Sequence, residues 1–153
     1  MKIWIGIIFL FVVFFAQFAT AKYISGEIRI DENGFATFNV KTDVEIQADG
    51  LEFKNEGATG RTDSFTEKSG SIWTFSLKEG NYDDIFLDIK LPIATQKITS
   101  IQGNRYLFDT EENVLTLIDS GELDFEVSYI VRERTNYNFI YYLIGILLLT
   151  LVF

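Results

Sequence analysis

The stretch LDFEVSYIV at residues 123–131 decides the fold, because a large apolar side chain occupies every second position of it. Strict alternation over this length is typical of a β-strand with one buried face. The chain then runs through the charged tripeptide RER at 132–134 into residues 139–153, a run without a charged side chain. The pattern predicts a β-domain that ends directly before a membrane segment.

The same period of two recurs upstream in short segments that are separated by turn residues. Strands are predicted at residues 24–30, 36–40, 44–48, 51–53, 72–77, 85–91, 93–102, 106–108 and 114–117. For 93–102 a helical turn competes with the strand, which is favoured. Hairpins are predicted at Asn33-Gly34 and Asp49-Gly50, and further turns at 79–84 and Ser120-Gly121. Residues 56–71 are polar and glycine-rich, which indicates a long loop or a weakly paired edge.

These strands predict an all-β fold, an antiparallel β-sandwich formed by residues 22–134. The spacing allows for about eight to ten strands, and no helical period occurs outside the termini. An immunoglobulin-like topology is one version of this sandwich. The Cys…Trp…Cys pattern of immunoglobulin domains is missing, because the chain contains no cysteine.

Residues 1–21 have the features of a secretory signal peptide. Lys2 precedes an apolar stretch at 3–18, and Ala19-Thr20-Ala21 fits the small-residue rule for signal peptidase cleavage before Lys22. The alternative is an uncleaved N-terminal anchor, in which the apolar stretch would span about 24 Å of a hydrocarbon core of ~30 Å. Cleavage is the preferred interpretation.

Residues 135–153 are predicted to form a C-terminal transmembrane helix that anchors the domain. Tyr141 and Tyr142 lie near the start of the apolar run, as interfacial aromatic residues do. From residue 139 the run spans about 22 Å as a helix, which is less than the hydrocarbon core of ~30 Å. Either the bilayer thins around it, or the natural chain continues beyond Phe153.

The predicted location is the cell membrane, with one membrane pass after signal cleavage and the domain on the extracytoplasmic side. Arg132 and Arg134 would then flank the anchor on the outer side, which conflicts with the positive-inside rule. The export signal takes precedence because the first segment usually sets the topology. The two arginines can pair with Glu133 or with lipid phosphates.

Composition excludes several kinds of chemistry. The chain has no cysteine and no histidine, which removes disulfides, thiolate nucleophiles, the usual zinc ligands and histidine-based triads. Its 13 basic residues are scattered among 22 acidic ones, and the net charge of −9 disfavours nucleic acid as a partner. The sequence therefore predicts no enzyme, no cofactor, and no catalytic, cofactor-binding or metal site residues.

Three acidic groups are the remaining candidates for ligand chemistry. Asp31 and Asn33 have the spacing of the first ligands of a calcium loop, but a hairpin turn is preferred because a strand follows directly. The other two groups are Asp83, Asp84 and Asp88, and Asp109, Glu111 and Glu112. Calcium binding and catalysis by a carboxylate pair are the alternatives for them. Solvated turn residues, whose charge keeps edge strands from pairing, are the preferred interpretation.

Several turn and strand motifs carry a resemblance that covers residues 22–153. They are Ser25-Gly26-Glu27, Asp31, Asn33-Gly34, Thr42-Asp43, Gly50-Leu51-Glu52-Phe53, Trp73-Thr74-Phe75 and Asp119-Ser120-Gly121. In this order, before a last strand and a membrane helix, they resemble archaeal membrane-anchored proteins of unknown function with an exported β-sandwich domain. Some longer members carry a cytoplasmic winged helix after the membrane helix. The resemblance implies an exported sandwich and an anchor, and it assigns no functional residue.

The sequence predicts a membrane-anchored extracytoplasmic β-sandwich that acts as a non-catalytic surface module for binding or interaction. Its expected partners are the lipid bilayer and a protein whose identity the sequence does not specify. The alternative is the sensor domain of a membrane signalling or transcription-regulating system whose cytoplasmic part is absent from this chain.

Overall fold

The computed structural model describes residues 21–132, which form an all-β domain, as predicted. Its nine strands are β1 (Tyr23–Ile30), β2 (Ala36–Thr42), β3 (Leu51–Phe53), β4 (Gly57–Thr62), β5 (Thr66–Ser69), β6 (Ile72–Lys90), β7 (Thr95–Gly103), β8 (Tyr106–Asp109) and β9 (Val114–Val131). Within this part, no helix is long and apolar enough to cross a bilayer. Residues 1–20 of the predicted signal peptide (1–21) and the predicted anchor at 135–153 lie outside the described residues.

The strands belong to one mixed sheet in the order β3, β4, β2, β1, β6, β9 and β7, while β5 joins β6 and β8 joins β9. All pairs are antiparallel except β1 with β6, which run parallel with Ile24 beside Ile85. The prediction of a purely antiparallel arrangement is therefore wrong at this pair. Because β2 to β5 separate β1 from β6 along the chain, their pairing uses a long crossover, which local turn signals do not reveal.

β6 and β9 are the longest strands, and both continue through segments that the sequence predicts as turns. The predicted turns at 79–84 and Ser120-Gly121 are wrong, since these residues lie inside β6 and β9. The ladder between the two strands shifts register around Gly80. Such bulges bend a strand without ending it, and Gly80 and Gly121 adopt the positive φ angles of 70° and 103° that glycine tolerates.

Because of these bends, the two halves of β6 and of β9 have different neighbours. The second half of β6 lies beside β1 and the first half of β9 beside β8, whereas the opposite halves lie beside β5 and β7. The strands therefore form two groups, one with β1 to β4 and β8 and the other with β5 and β7, and β6 and β9 run through both. One hydrophobic core receives side chains from both groups. The alternation that predicted the last strand is confirmed, because Leu123, Phe125, Val127 and Tyr129 are fully buried.

The segment between β2 and β6 differs most from the prediction. Residues 44–48 alternate as expected, with Ile46 buried, but they form no strand. The second predicted hairpin is wrong, since β3 pairs with β4 and not with 44–48. Residues 56–71, predicted as a long loop or a weakly paired edge, contain β4 and the edge strand β5. β4 escaped detection because its buried side chains, Ala58 and Thr62, are small or polar.

The hairpin between β1 and β2 is confirmed, with a different turn from the one expected for Asn-Gly. The N–H of Asp31 donates to the C=O of Phe35 (2.9 Å), and the N–H of Gly34 donates to the C=O of Asp31 (3.1 Å). In this turn only Gly34 has a positive φ, 83°. The connection is therefore a three-residue turn with a glycine bulge, and not the two-residue turn.

Tyr129 buries a hydroxyl group that has no hydrogen-bond partner among residues 21–132. Burial, and to a lesser extent the charge of Asp31, raises the pKa of Tyr129. Leaving a buried hydroxyl unpaired costs about 1–3 kcal/mol, so we expect Tyr129→Phe to raise the free energy of unfolding by about 1 kcal/mol. Urea denaturation of residues 22–132 measures this, with the half-buried Tyr23→Phe as control. A loss of stability in Tyr129→Phe would show that the hydroxyl is paired.

Candidate interaction surface

The two acidic groups predicted as candidates for ligand chemistry lie apart on the sheet. Asp84 lies beside the first residue of β1, whereas Asp109 lies in the same row of the sheet as Lys90, the last residue of β6. The stretch of β6 between these two rows is about 20 Å long. The structure therefore does not bring Asp83 and Asp84 together with Asp109 or Glu112.

These carboxylates accept hydrogen bonds that stabilise the strands and turns in which they lie. They accept hydrogen bonds as follows: Asp83 from the N–H of Lys22 (2.8 Å), Asp88 from the hydroxyl of Thr116 (2.7 Å) and Asp109 from the N–H of Glu111 (2.8 Å). The carboxylate of Asp31 accepts from the N–H of Asn33 (2.8 Å) within the hairpin turn and also pairs with Arg61. In the described part of the chain, no three acidic side chains are grouped to hold a metal ion.

A cluster of exposed apolar side chains lies around β8. The described residues include seven large apolar side chains that are exposed by more than a third, and five of them belong to this cluster. They are Phe86 (50% exposed), Tyr106 (42%), Leu107 (65%), Phe108 (36%) and Ile118 (45%), and we call them the β8 patch. Tyr106 and Phe108 lie opposite the buried Leu117 and Leu115, on the inner side of the β8 edge, whereas the other three lie on the outer face. Exposed apolar side chains that are grouped at one edge mark interaction sites on protein surfaces.

The register of β6, β8 and β9 explains why Phe86, Leu107 and Ile118 lie together on the outer face. Phe86 lies between two core residues and Ile118 follows the buried Leu117, so both point outward, and they face each other across the β6–β9 ladder. Leu107 lies opposite Thr116 on β9 and therefore diagonal to Ile118. The outward side chains form one apolar strip across three strands.

β8 is also an edge strand with free backbone groups. Within residues 21–132 it pairs only with β9. The N–H of Ile118 donates to the C=O of Arg105 (3.1 Å), so by the alternation of an antiparallel ladder the backbone groups of Leu107 also point toward β9. The N–H and C=O groups of Tyr106 and Phe108 consequently point toward the open edge.

The other edge strands of the sheet carry features that oppose pairing with another chain. β5 and β7 contain the lysines Lys68 and Lys97, and β3 is three residues long and is followed by Lys54. Lysine and short length are common means of protecting an edge. β8 is also short, with four residues, but it reads YLFD and carries neither lysine nor proline, so among these edges it is the one suited to strand addition.

The start of β8 is fixed by a buried asparagine. The side chain of Asn104 donates to the C=O of Glu122 (2.9 Å) and accepts from the N–H of Asp124 (2.9 Å). The N–H of Asn104 also donates to the C=O of Asp124 (3.1 Å). These bonds tie the connection between β7 and β8 to β9, so the β8 edge has a defined position.

Asp119 holds the backbone directly before β8, and this contact should depend on pH. The N–H groups of Arg105 and Ser120 donate to its carboxylate and lower the pKa of Asp119 to about 2 from an ordinary value of 3.8. A carboxylate with a lowered pKa stabilises the fold at pH values above its ordinary pKa. This contribution is lost as the pH falls from about 4 to about 2. We expect Asp119→Asn to lose less stability over this range than the wild type, measured by urea denaturation at each pH.

The control for this experiment is Asp49→Asn, in an exposed turn before β3. It should keep the pH dependence of the wild type, because it leaves the contact of Asp119 with Arg105 in place. If Asp119→Asn also keeps that dependence, the carboxylate of Asp119 does not stabilise the start of β8.

The β8 patch is not among the sites predicted from the sequence. Its signal was the local loss of alternation, since Ile85-Phe86-Leu87, Tyr106-Leu107-Phe108 and Leu117-Ile118 are consecutive apolar residues. Such runs are typical of strands that are covered on both faces. In the described part of this sheet the second face is exposed.

Comparisons of the chain with protein-family models, with curated protein sequences and with solved structures find no match. The candidate function follows from the geometry of the β8 patch. Exposed apolar side chains beside free backbone N–H and C=O groups are suited to bind a polypeptide strand.

Proposed function

We propose that the protein is a membrane-anchored, extracytoplasmic β-sandwich that binds a protein partner through the β8 patch and has no catalytic role. The observation that carries this proposal is the coincidence of exposed apolar side chains with the free backbone groups of Tyr106 and Phe108 on one edge. Strand addition at such an edge gives affinity through main-chain hydrogen bonds and specificity through side chains.

Contacts between the two groups of strands support the sandwich. The Phe38 ring of β2 lies 5.2 Å from the ring of Phe65, which precedes β5. The hydroxyl of Thr66 in β5 donates to the C=O of Gly34, and the backbone of Gly34 packs against the Trp73 ring of β6. Two layers with apolar side chains between them are the arrangement of a β-sandwich.

The position of Arg132 supports a membrane close to the domain. Its N–H donates to the C=O of Ala94 (2.8 Å), which places the start of the predicted linker beside Ile93. Ile93 is 95% exposed. An exposed apolar side chain is stabilised at the boundary between headgroups and acyl chains. From 132 to 138 the linker reaches at most about 25 Å, which keeps the domain near the bilayer.

Photo-crosslinking in intact cells tests the proposed binding surface. A photoreactive amino acid replaces Leu107 in the full-length chain, and the same amino acid at the exposed Thr37 of β2 is the control. We expect cross-links to protein from position 107 and far fewer from position 37. Equal yields from the two positions would overturn the proposal that the β8 patch binds a protein.

A second experiment tests the extracytoplasmic location. Lys41 and Lys54 are exposed and should react with a membrane-impermeant lysine reagent in intact cells. Reaction only after the cells are opened would place the domain on the cytoplasmic side and overturn this part of the proposal.

A further inference from the structure

We infer that the partner of the β8 patch is a second copy of this chain, whose β8 strand pairs antiparallel with the first. This inference rests on the proposed function, because it names the partner of the same surface. It is carried by the order of residues along the open edge, Arg105-Tyr106-Leu107-Phe108-Asp109.

This order of residues is complementary to itself when it is read in the opposite direction. If Leu107 of one copy lies opposite Leu107 of the other, then Tyr106 faces Phe108 and Arg105 faces Asp109 of the second copy. The centre of the pair is apolar, aromatic pairs flank it, and opposite charges meet at both ends. Cross-strand pairs of these kinds stabilise antiparallel sheets.

The backbone permits the same register. Tyr106 and Phe108 are the residues whose N–H and C=O groups point toward the open edge. In the register centred on Leu107, Tyr106 of each copy lies opposite Phe108 of the other, so all four residues exchange hydrogen bonds. Leu107 then forms a non-hydrogen-bonded pair, the kind in which opposing side chains approach most closely.

The charged residues at the ends of the strand are accessible. Arg105 contacts the carboxylate of Asp119 at 3.2 Å, yet its side chain is 80% exposed. A guanidinium group has five N–H donors and can bind Asp119 and a second carboxylate together. Asp109 is exposed at the other end of β8, and the N–H groups of Glu111 and Glu112 donate to its Oδ1 only, which leaves Oδ2 available to a second copy. The ion pairs of the proposed dimer therefore need no rearrangement of the edge.

The proposed pairing closes on itself. Each copy uses the same edge, so a two-fold axis passes between the Leu107 residues and the interface is complete with two chains. Among the described edges, β5 and β7 carry lysine and β3 is short, so strand addition does not continue at the other end. The structure thus favours a dimer over a fibre.

The two-fold axis also constrains the anchored chains. It places the Arg132 residues of the two copies at opposite ends of the pair, so both chains reach one bilayer when the β8 strands lie parallel to it. Anchoring in one bilayer raises the effective concentration of the two strands, which helps a short edge to pair.

Cysteine cross-linking of the full-length chain in membranes tests the inference. The chain contains no cysteine, so each substitution introduces a single thiol. In the proposed register the α-carbons of the two residues 107 are about 4.5 Å apart, a distance that a disulfide spans. After oxidation with copper phenanthroline, we expect at least about tenfold more covalent dimer from Leu107→Cys than from the control Thr37→Cys.

The register is tested by two further sets of variants. Tyr106→Cys and Phe108→Cys should cross-link to each other on co-expression more than either does to itself, and the reverse result would overturn the register. In the Leu107→Cys background, Arg105→Asp should lower the dimer yield, and adding Asp109→Arg should restore it. Failure of the double exchange to restore the dimer would overturn the end-to-end ion pairs.

The results separate this inference from the proposed function. Photo-crosslinks from position 107 to a different protein, without a Leu107→Cys dimer, would overturn the second copy as partner and leave the interaction surface in place. Absence of both kinds of cross-link at position 107 would overturn the inference and the proposed function together.

Discussion

Gly103→Ala is expected to lower the free energy of unfolding by about 3–5 kcal/mol, since a backbone clash and an unfavourable φ act together. The φ of Gly103 is 102°, and an added Cβ would collide with the carbonyl oxygen of Asp124. That oxygen belongs to the β9 backbone and accepts the N–H of Asn104 (3.1 Å), so it has little freedom to move. The substitution should therefore also loosen the start of β8. Urea denaturation of residues 22–132 measures the loss.

Gly121→Ala is the matched control for this substitution. Gly121 has a φ of 103°, but no atom lies within 4 Å of the position that an added Cβ would take. The loss of stability in Gly121→Ala therefore measures the cost of the φ angle alone, about 1–2 kcal/mol. If both variants lose the same stability, the clash is relieved by movement, and the connection between β7 and β8 is not the fixed element described above.

Alternation predicted the strands of this domain better than their connections. The apolar residues of β9 and the hairpin between β1 and β2 follow from the period of two and from Asn33-Gly34. The long strands could not be predicted, because Gly80 and Gly121 read as turn residues whether a strand ends or bends there. The backbone ladder decides between these outcomes, and it depends on a partner strand distant in sequence.

The parallel pairing of β1 with β6 could not be predicted from local sequence patterns, for a related reason. Short turns in the sequence indicate antiparallel neighbours, whereas the position of a parallel neighbour depends on the packing of the whole intervening segment. That segment includes β4, whose pairing rests on backbone hydrogen bonds around Gly57 and Gly60 and not on large apolar side chains.

The candidate surface could be predicted only in part. Three consecutive apolar residues at 106–108 are visible in the sequence, but whether they are covered depends on the position of β8 in the sheet. The pairing of Phe86 with Ile118 depends on the register of β6 and β9 after a bulge. Apolar side chains in strands are usually core, so exposure had to be read from the structure.

Phe125→Ala is expected to destabilise the domain by about 3–5 kcal/mol, the usual cost of removing a fully buried phenylalanine ring. Phe125 is completely buried in the bent strand β9, and its ring lies 6.4 Å from that of Tyr106 in β8, in an edge-to-face arrangement. The cavity should therefore weaken both the core and the support of the β8 edge. Urea denaturation of residues 22–132 measures the first effect, and hydrogen exchange of the ladder amides of Leu107 and Ile118 measures the second.

Phe86→Ala removes the same ring from the outer face of the sheet and is the matched control. Because Phe86 is 50% exposed, we expect a loss of no more than about 1 kcal/mol. As a member of the β8 patch, Phe86 should instead affect binding, so Phe86→Ala should reduce photo-crosslinking from position 107 while the domain stays folded. A phenylalanine on the inner face of the sheet thus contributes to stability, whereas a phenylalanine on the outer face contributes to binding. Equal losses of stability in the two variants would contradict this assignment of inner and outer faces, and with it the exposed apolar strip.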